Sequence, residues 1–168
     1  MASSPTSPRL GWIGLGSMGL AMATNIQKFL KEKNLPGLQY TNRTLSRGDT
    51  LKDLGASPCD TVADVVKNTD IIFISLSDDL ALISTICSIV SSGELTGKIF
   101  VDTTTVHPNT TSAVSKQVSE AGGEHIISDA HVLAEKSNLP ASVLETLIEQ
   151  NLFKDGIHRA RLRIRLGK

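Results

Sequence analysis

The sequence has only two cysteines, Cys59 and Cys87, far apart and with no histidine cluster nearby. That scarcity excludes a disulfide scaffold and a Cys/His zinc site as the organising principle. Both are expected to be buried, reduced thiols. Net charge is also lacking: 17 basic residues balance 17 acidic ones. The molecule as a whole therefore offers no electrostatic case for nucleic acid or a membrane surface. No run approaches the roughly 18 apolar residues of a membrane span. The opening MASSPTSP has no apolar stretch, and folded structure is expected from Arg9. That leaves no room for a signal or transit peptide, and a cytoplasmic location is expected.

What is present is the composition of a globular protein, 40% hydrophobic and 20% charged. Apolar runs alternate with stretches of helical period, the grammar of βαβ units around a buried parallel sheet. Strands are expected at Leu10 to Ile13, Leu38 to Thr41, weakly at Ala56 to Cys59, then at Ile71 to Ile74, Ile99 to Val101 and His125 to Ile127. The first helix, from about Ser17 to Lys31, should bury Met18, Met22, Ile26, Phe29 and Leu30. A short helix near Leu45 to Leu54 should end at Gly55, and Thr61 can cap the helix carrying Val62, Val65 and Val66. The helix after the fourth strand should bury Leu80, Ile83, Cys87 and Val90. Pro108 suits a first helical position, and Gly122-Gly123 stops that helix. Trp12 belongs to the core. The implied fold is a doubly wound α/β domain over 9–130, with the default strand order 3-2-1-4-5-6.

The grammar changes after Ala130. Residues 131–150 read as two short helices with no sheet to complete. From Lys154 to Lys168 there are six basic residues and one acidic, which leaves the rest of the chain net acidic. The alternation Arg161 to Leu166 suits neither a helix nor a buried strand, so 151–168 reads as a disordered basic tail. Without aromatic interleaving it is a poor nucleic-acid contact.

Gly14-Leu15-Gly16-Ser17-Met18-Gly19 matches G-x-G-x-x-G between a strand and a helix, the context in which the motif means dinucleotide binding. Gly14 should make the tight turn, Gly16 should let a pyrophosphate approach the backbone, and Gly19 should let helix and strand pack closely. The helix terminus then offers N–H groups to the phosphates. An acidic residue commonly ends the second strand where NAD ribose is bound; this chain has Asn42-Arg43-Thr44 instead. A guanidinium pairs with a 2′-phosphate and a threonine hydroxyl can donate to it, so NADP is expected ahead of NAD.

Three stretches carry a family resemblance. Leu10 to Gly19 with Met22-Ala23-Thr24-Asn25 resembles the N-terminal signature of the β-hydroxyacid dehydrogenases. That family includes 3-hydroxyisobutyrate dehydrogenase and the NADP-binding domain of 6-phosphogluconate dehydrogenase. Asp102 to Pro108 resembles the family's D-x-S-T-x-x-P element. Leu76-Ser77 stands where the family often has Leu-Pro beside the nicotinamide. The resemblance implies Thr104 as a substrate-carboxylate contact, with Leu76, Ser77 and Thr105 at the cofactor, no metal, and hydride transfer between NADP and a β-hydroxy acid or its carbonyl partner.

Past Asp129-Ala130 the resemblance jumps to a helix pair deep in the family's C-terminal domain. The glycine loop and the lysine that acts as general acid/base are therefore expected to be missing, whether by splicing, a gene-model error or a deletion. Lys136-Ser137-Asn138 only superficially resembles the family's K-x-x-N element. Loop residue His107 is expected to be structural or solvent-facing, and His125, His131 and His158 share no metal-ligand spacing. The expected function is cofactor binding with impaired catalysis. The alternatives are a reductase completed by a partner, and a non-catalytic interaction protein using the tail.

Overall fold

A computed structural model describes residues 8–127. Six strands, β1 (Leu10–Ile13), β2 (Gln39–Thr41), β3 (Ser57–Pro58), β4 (Ile71–Ile74), β5 (Ile99–Asp102) and β6 (Glu124–Ile127), form one sheet in the order β3-β2-β1-β4-β5-β6. Every pairing is parallel, with Leu10 opposite Ile71, Ile71 opposite Ile99 and Ile99 opposite Glu124. The helices are α1 (Ser17–Glu32), α2 (Asp49–Asp53), α3 (Val62–Asn68), α4 (Asp79–Ser91) and α5 (Pro108–Glu120), with a 3-10 turn at Leu45–Gly48. The expected doubly wound fold is therefore the observed one. The expected helices at 131–150, the tail at 151–168 and Lys136 lie outside the described residues.

The pleat sorts the strand residues into two cores. Leu10, Trp12, Ile71 and Phe73 meet Met22, Ala23, Ile26 and Leu30 of α1 on one face. Ile13, Ile72, Ile74 and Phe100 meet Val65 and Val66 of α3, Leu82, Ile86 and Ile89 of α4, and Val114 and Val118 of α5 on the other. This explains why β4 reads as an unbroken apolar run: both faces are covered. Helix starts follow the sequence closely. Thr61 and Asp64 form a reciprocal capping box on α3, and Pro108 occupies the first turn of α5.

The burial of α4 differs from expectation. Leu82, Ile86 and Ile89 face the core, whereas Leu80 is 78% exposed, Ile83 is 39% exposed and Cys87 is exposed. Two apolar stripes of helical spacing run along this segment, and spacing alone does not fix which one turns inward. Packing does: Leu82, Ile86 and Ile89 sit against Ile72, Ile74 and Phe100 of the sheet and Val114 and Val118 of α5. Asp78 caps the helix start by accepting the Ala81 N–H. Met18 is likewise 65% exposed rather than buried, because it sits in the first turn of α1, at the open end of the sheet.

Candidate functional site

The strand order reverses between β1 and β4, so the loops leaving their carboxyl ends diverge and open a crevice. The glycine loop forms one wall. Gly14 has φ +97°, and a Cβ there would overlap the Ser75 carbonyl oxygen. A Cβ on Gly19 would overlap the Gly14 carbonyl oxygen, so the helix packs against the strand only without one. Gly16 is different: a Cβ there would meet nothing within 4 Å. No atom among the described residues needs that glycine, yet it is the N-cap of α1 and no side chain among them caps the helix. The terminus presents the N–H groups of the first turn to open space, the arrangement that fits a phosphate.

The loop's shape is over-determined. The buried Trp12 indole donates to the Gly14 carbonyl at 2.7 Å while its ring stacks on Phe73 with centroids 5.5 Å apart. Gly14 N–H donates to the Thr41 carbonyl. Asn42 Oδ1 accepts the Leu15 N–H at 2.9 Å, and Asn42 Nδ2 donates to the Thr44 carbonyl at 2.9 Å. Leu15 thus has its side chain in the core and its amide committed, so it contributes loop shape. Asn42 clamps the glycine loop to the end of β2. The sequence alone did not assign these anchoring roles to Trp12 and Asn42; an indole two residues before the first glycine was the available signal.

Arg43 and Thr44 follow, both exposed, and Thr44 makes no side-chain cap to the 3-10 turn it precedes. Across the crevice, Ser77 donates its hydroxyl to Asp78 at 2.7 Å. That bond, the Ala81 amide and a smaller pull from the Arg43 guanidinium hold the Asp78 carboxyl below its ordinary range. Asp79 is lowered too, chiefly by the Thr110 hydroxyl and also by the His107 amide, which ties α4 to α5. His107 itself accepts the Asn109 N–H through Nδ1 as the N-cap of α5, a structural use of a loop histidine.

The far wall is the Thr103–Thr105 turn. Thr103 continues the ladder to the Ile74 carbonyl through both its amide and its hydroxyl. Thr104 N–H donates to Asp102 Oδ1 at 2.8 Å, and Thr104 Oγ1 accepts the Leu76 N–H at 3.1 Å. A hydroxyl that accepts from Leu76 still has its own proton to donate. Thr105 is exposed beside it. The structure therefore gathers Gly14 to Gly19, Asn42 to Thr44, Leu76, Ser77, Thr104 and Thr105 around the carboxyl edge of one sheet. No group of three or more His, Cys, Asp or Glu side chains suited to a metal occurs among the described residues. Nor is any helix among them long and apolar enough to cross a membrane.

Residues 9–135 match the family described as the NAD binding domain of 6-phosphogluconate dehydrogenase. The chain is similar to glyoxylate/succinic semialdehyde reductase 1 of Arabidopsis thaliana, 33% identical over 123 residues, covering 70% of this chain and 39% of the relative. It is also similar to the cytokine-like nuclear factor N-PAC of Danio rerio, 30% identical over 156 residues, covering 90% of this chain and 32% of the relative. An imine reductase from Myxococcus stipitatus, solved in complex with NADP+, superimposes with a TM-score of 0.60 at 28% identity, covering 70% of this chain and 39% of that one. The chain thus spans 39% and 32% of the length of these two curated relatives.

Proposed function

The chain belongs to the family of the NAD binding domain of 6-phosphogluconate dehydrogenase, and we propose that it binds NADP(H) in preference to NAD(H). The uncapped first turn of α1 behind a glycine whose Cβ position is empty carries dinucleotide binding, and exposed Arg43 and Thr44 just past β2 carry the preference. The pyrophosphate would sit there, against the amides of Ser17 and Met18. Arg43 and Thr44 would hold the 2′-phosphate by a charged pair and a donated hydrogen bond. Leu76, Ser77 and Thr105 would flank the nicotinamide end, with Thr104 offering its hydroxyl to a substrate carboxylate.

When bound, the nicotinamide supplies or accepts the hydride. The substrate class that fits is a small β-hydroxy acid or its carbonyl counterpart. Among the described residues the carboxyl edge offers hydroxyls and carboxylates, and its one imidazole, His107, caps a helix. A general acid/base contributes typically about 10²–10⁴ in rate, and with the family's lysine segment expected to be missing, binding without turnover is the expected behaviour of this chain. The exposed free thiol Cys87 favours a reducing compartment, and a cytoplasmic location is part of the same reading.

Calorimetric titration with NADPH and NADH at low and high salt tests the cofactor assignment. NADPH should bind more tightly, and its advantage should shrink with salt because the discriminating contact is charged. The Arg43→Asp variant should erase or invert the preference. Equal affinity for both cofactors in the parent protein would overturn the assignment. A panel of β-hydroxy acids and their carbonyl partners tests the second half: NADPH should bind without being consumed, and steady turnover would refute impaired catalysis.

A further inference from the structure

A histidine outside the cofactor crevice is placed where it can control one wall of that crevice. In the β5–β6 register Phe100 lies opposite His125 and Asp102 opposite Ile127. Side chains two residues apart on a strand share a face, so His125 and Asp102 project on the same side of the sheet. That side carries α5, whose Val114 and Val118 pack with Phe100. Both polar side chains are sealed there: the imidazole is 0% exposed and the carboxylate 3%. Ser115, on α5 between those two valines, places its hydroxyl 2.7 Å from His125 Nδ1. His125 Nε2 points at Asp102 Oδ2 across 3.5 Å and has no hydrogen-bond partner among the described residues.

Such a distance is too long for a good hydrogen bond and makes the contact electrostatic. The carboxylate selects the tautomer: a ring protonated on Nδ1 alone would turn its Nε2 lone pair on Asp102 and is disfavoured. The neutral ring that accepts from Ser115 carries its proton on Nε2, and so does the doubly protonated ring; in both, an N–H dipole faces the carboxylate. A histidine that merely filled space would serve no better than a leucine in a fully enclosed position, and a buried polar ring costs stability unless its nitrogens are used.

The use is legible from the other carboxylate oxygen. Asp102 Oδ1 accepts the Thr104 N–H, and Thr104 Oγ1 accepts the Leu76 N–H. One continuous polar chain therefore runs from α5 through β6 and β5 into the two loops that form the far wall of the crevice. We propose that His125, seated by Ser115, is a positioning residue that orients the Asp102 carboxylate and through it the Thr104 turn. It leaves the Thr104 hydroxyl with its acceptor side occupied by Leu76 and its proton free for the crevice. The functional meaning of that orientation rests on the reading that Thr104 and Leu76 line the nicotinamide end. The orientation itself does not.

Amide hydrogen exchange in the cofactor-free protein reads the chain directly. In a His125→Leu variant, exchange at Thr104 and Leu76 should accelerate by about three- to tenfold, the loss expected for one ordinary polar interaction. Exchange at Phe100 and Val101, in the same strand but off the chain, should hold. His125→Gln, which keeps a donor, should restore most of the protection, and Ser115→Ala should give a smaller acceleration at the same two amides. If His125→Leu does not fold, the Gln and Ala variants alone decide.

Unchanged exchange at Thr104 and Leu76, or a rise spread evenly over β5 that Gln fails to rescue, would overturn the proposal. A second readout uses cofactor. The fluorescence of bound NADPH should change in His125→Leu while affinity for adenosine 2′,5′-bisphosphate, which lacks the nicotinamide half, stays the same. A parent protein that binds no NADPH would sink the cofactor assignment and leave the exchange result to judge His125.

Discussion

Substituting alanine at Gly16 and at Gly14 should separate a glycine kept for a ligand from one kept for the fold. Gly16 has φ −65° and ψ −178°, a conformation any residue adopts, and its Cβ would enter open space. Alanine there removes backbone freedom from the unfolded chain, which stabilises by about 0.4–1 kcal/mol. It is a poorer N-cap than glycine, which costs a similar amount. The two effects offset, and stability should change by less than about 0.5 kcal/mol, as at an unconstrained surface site.

The same methyl group, however, stands where the proposed phosphate cradle would receive the pyrophosphate. Hydrogen bonds to charged groups contribute about 1.5–3 kcal/mol each, so pushing the phosphate off one amide should weaken NADPH by roughly 10- to 150-fold. Gly14→Ala should behave in the opposite way. At φ +97° the residue is strained and its Cβ collides with the Ser75 carbonyl. Strain of this kind costs about 1–3 kcal/mol, and forced overpacking adds about 1–3 more. Urea denaturation and calorimetric titration on both variants read the two quantities separately. A Gly16→Ala protein that binds NADPH as tightly as the parent would refute the phosphate cradle, however stable it proved.

Three further expectations follow from the geometry. Asn42→Ala leaves the part-buried Leu15 amide without its acceptor, which should cost about 1–3 kcal/mol in urea denaturation and loosen cofactor binding as well. On α4, Ile86→Ala should cost about 2–5 kcal/mol because the side chain is fully enclosed. Ile83→Ala, on the exposed stripe, should stay within about 0.5 kcal/mol, and equal losses would mean the helix is rotated. Ser77 and Thr110 hydroxyls hold the Asp78 and Asp79 carboxyls below their ordinary range. The stability these groups add is therefore present above about pH 4, near the unfolded carboxylate value, and is lost as pH falls through the lower folded values. Asp79→Asn should flatten the acid limb of a stability–pH profile, and an unchanged limb would contradict the assignment.

The sheet and its crevice were legible because their signals are local. A strand covered on both faces has to read as an apolar run, as Ile71 to Ile74 does, and a tight turn into a helix has to show its glycines. Helix phase was less legible. Two stripes compete along 80–90, and what decides between them is long-range packing on Ile72, Ile74, Phe100 and Val114, which periodicity does not contain. Met18 read as core because it continues the α1 period, although the first turn of a helix at an open sheet end has nothing above it to bury against. The long-range clamps were illegible for another reason. Asn42 to Leu15 and Asp102 to His125 join residues 27 and 23 positions apart, and only the assembled sheet brings them together. Thr104 was found through resemblance, while its fixed orientation emerged only from its bonds to Asp102 and Leu76.

A crystal structure with NADP+ bound tests the central claim most directly. The account predicts the pyrophosphate over Gly16 within hydrogen-bond reach of the Ser17 and Met18 amides, and the 2′-phosphate against the Arg43 guanidinium and the Thr44 hydroxyl. The nicotinamide ring should lie beside Leu76 and the Thr104 turn. A cofactor seated away from the first turn of α1, or one whose 2′-phosphate faces solvent with Arg43 turned to Asp78 instead, would contradict it.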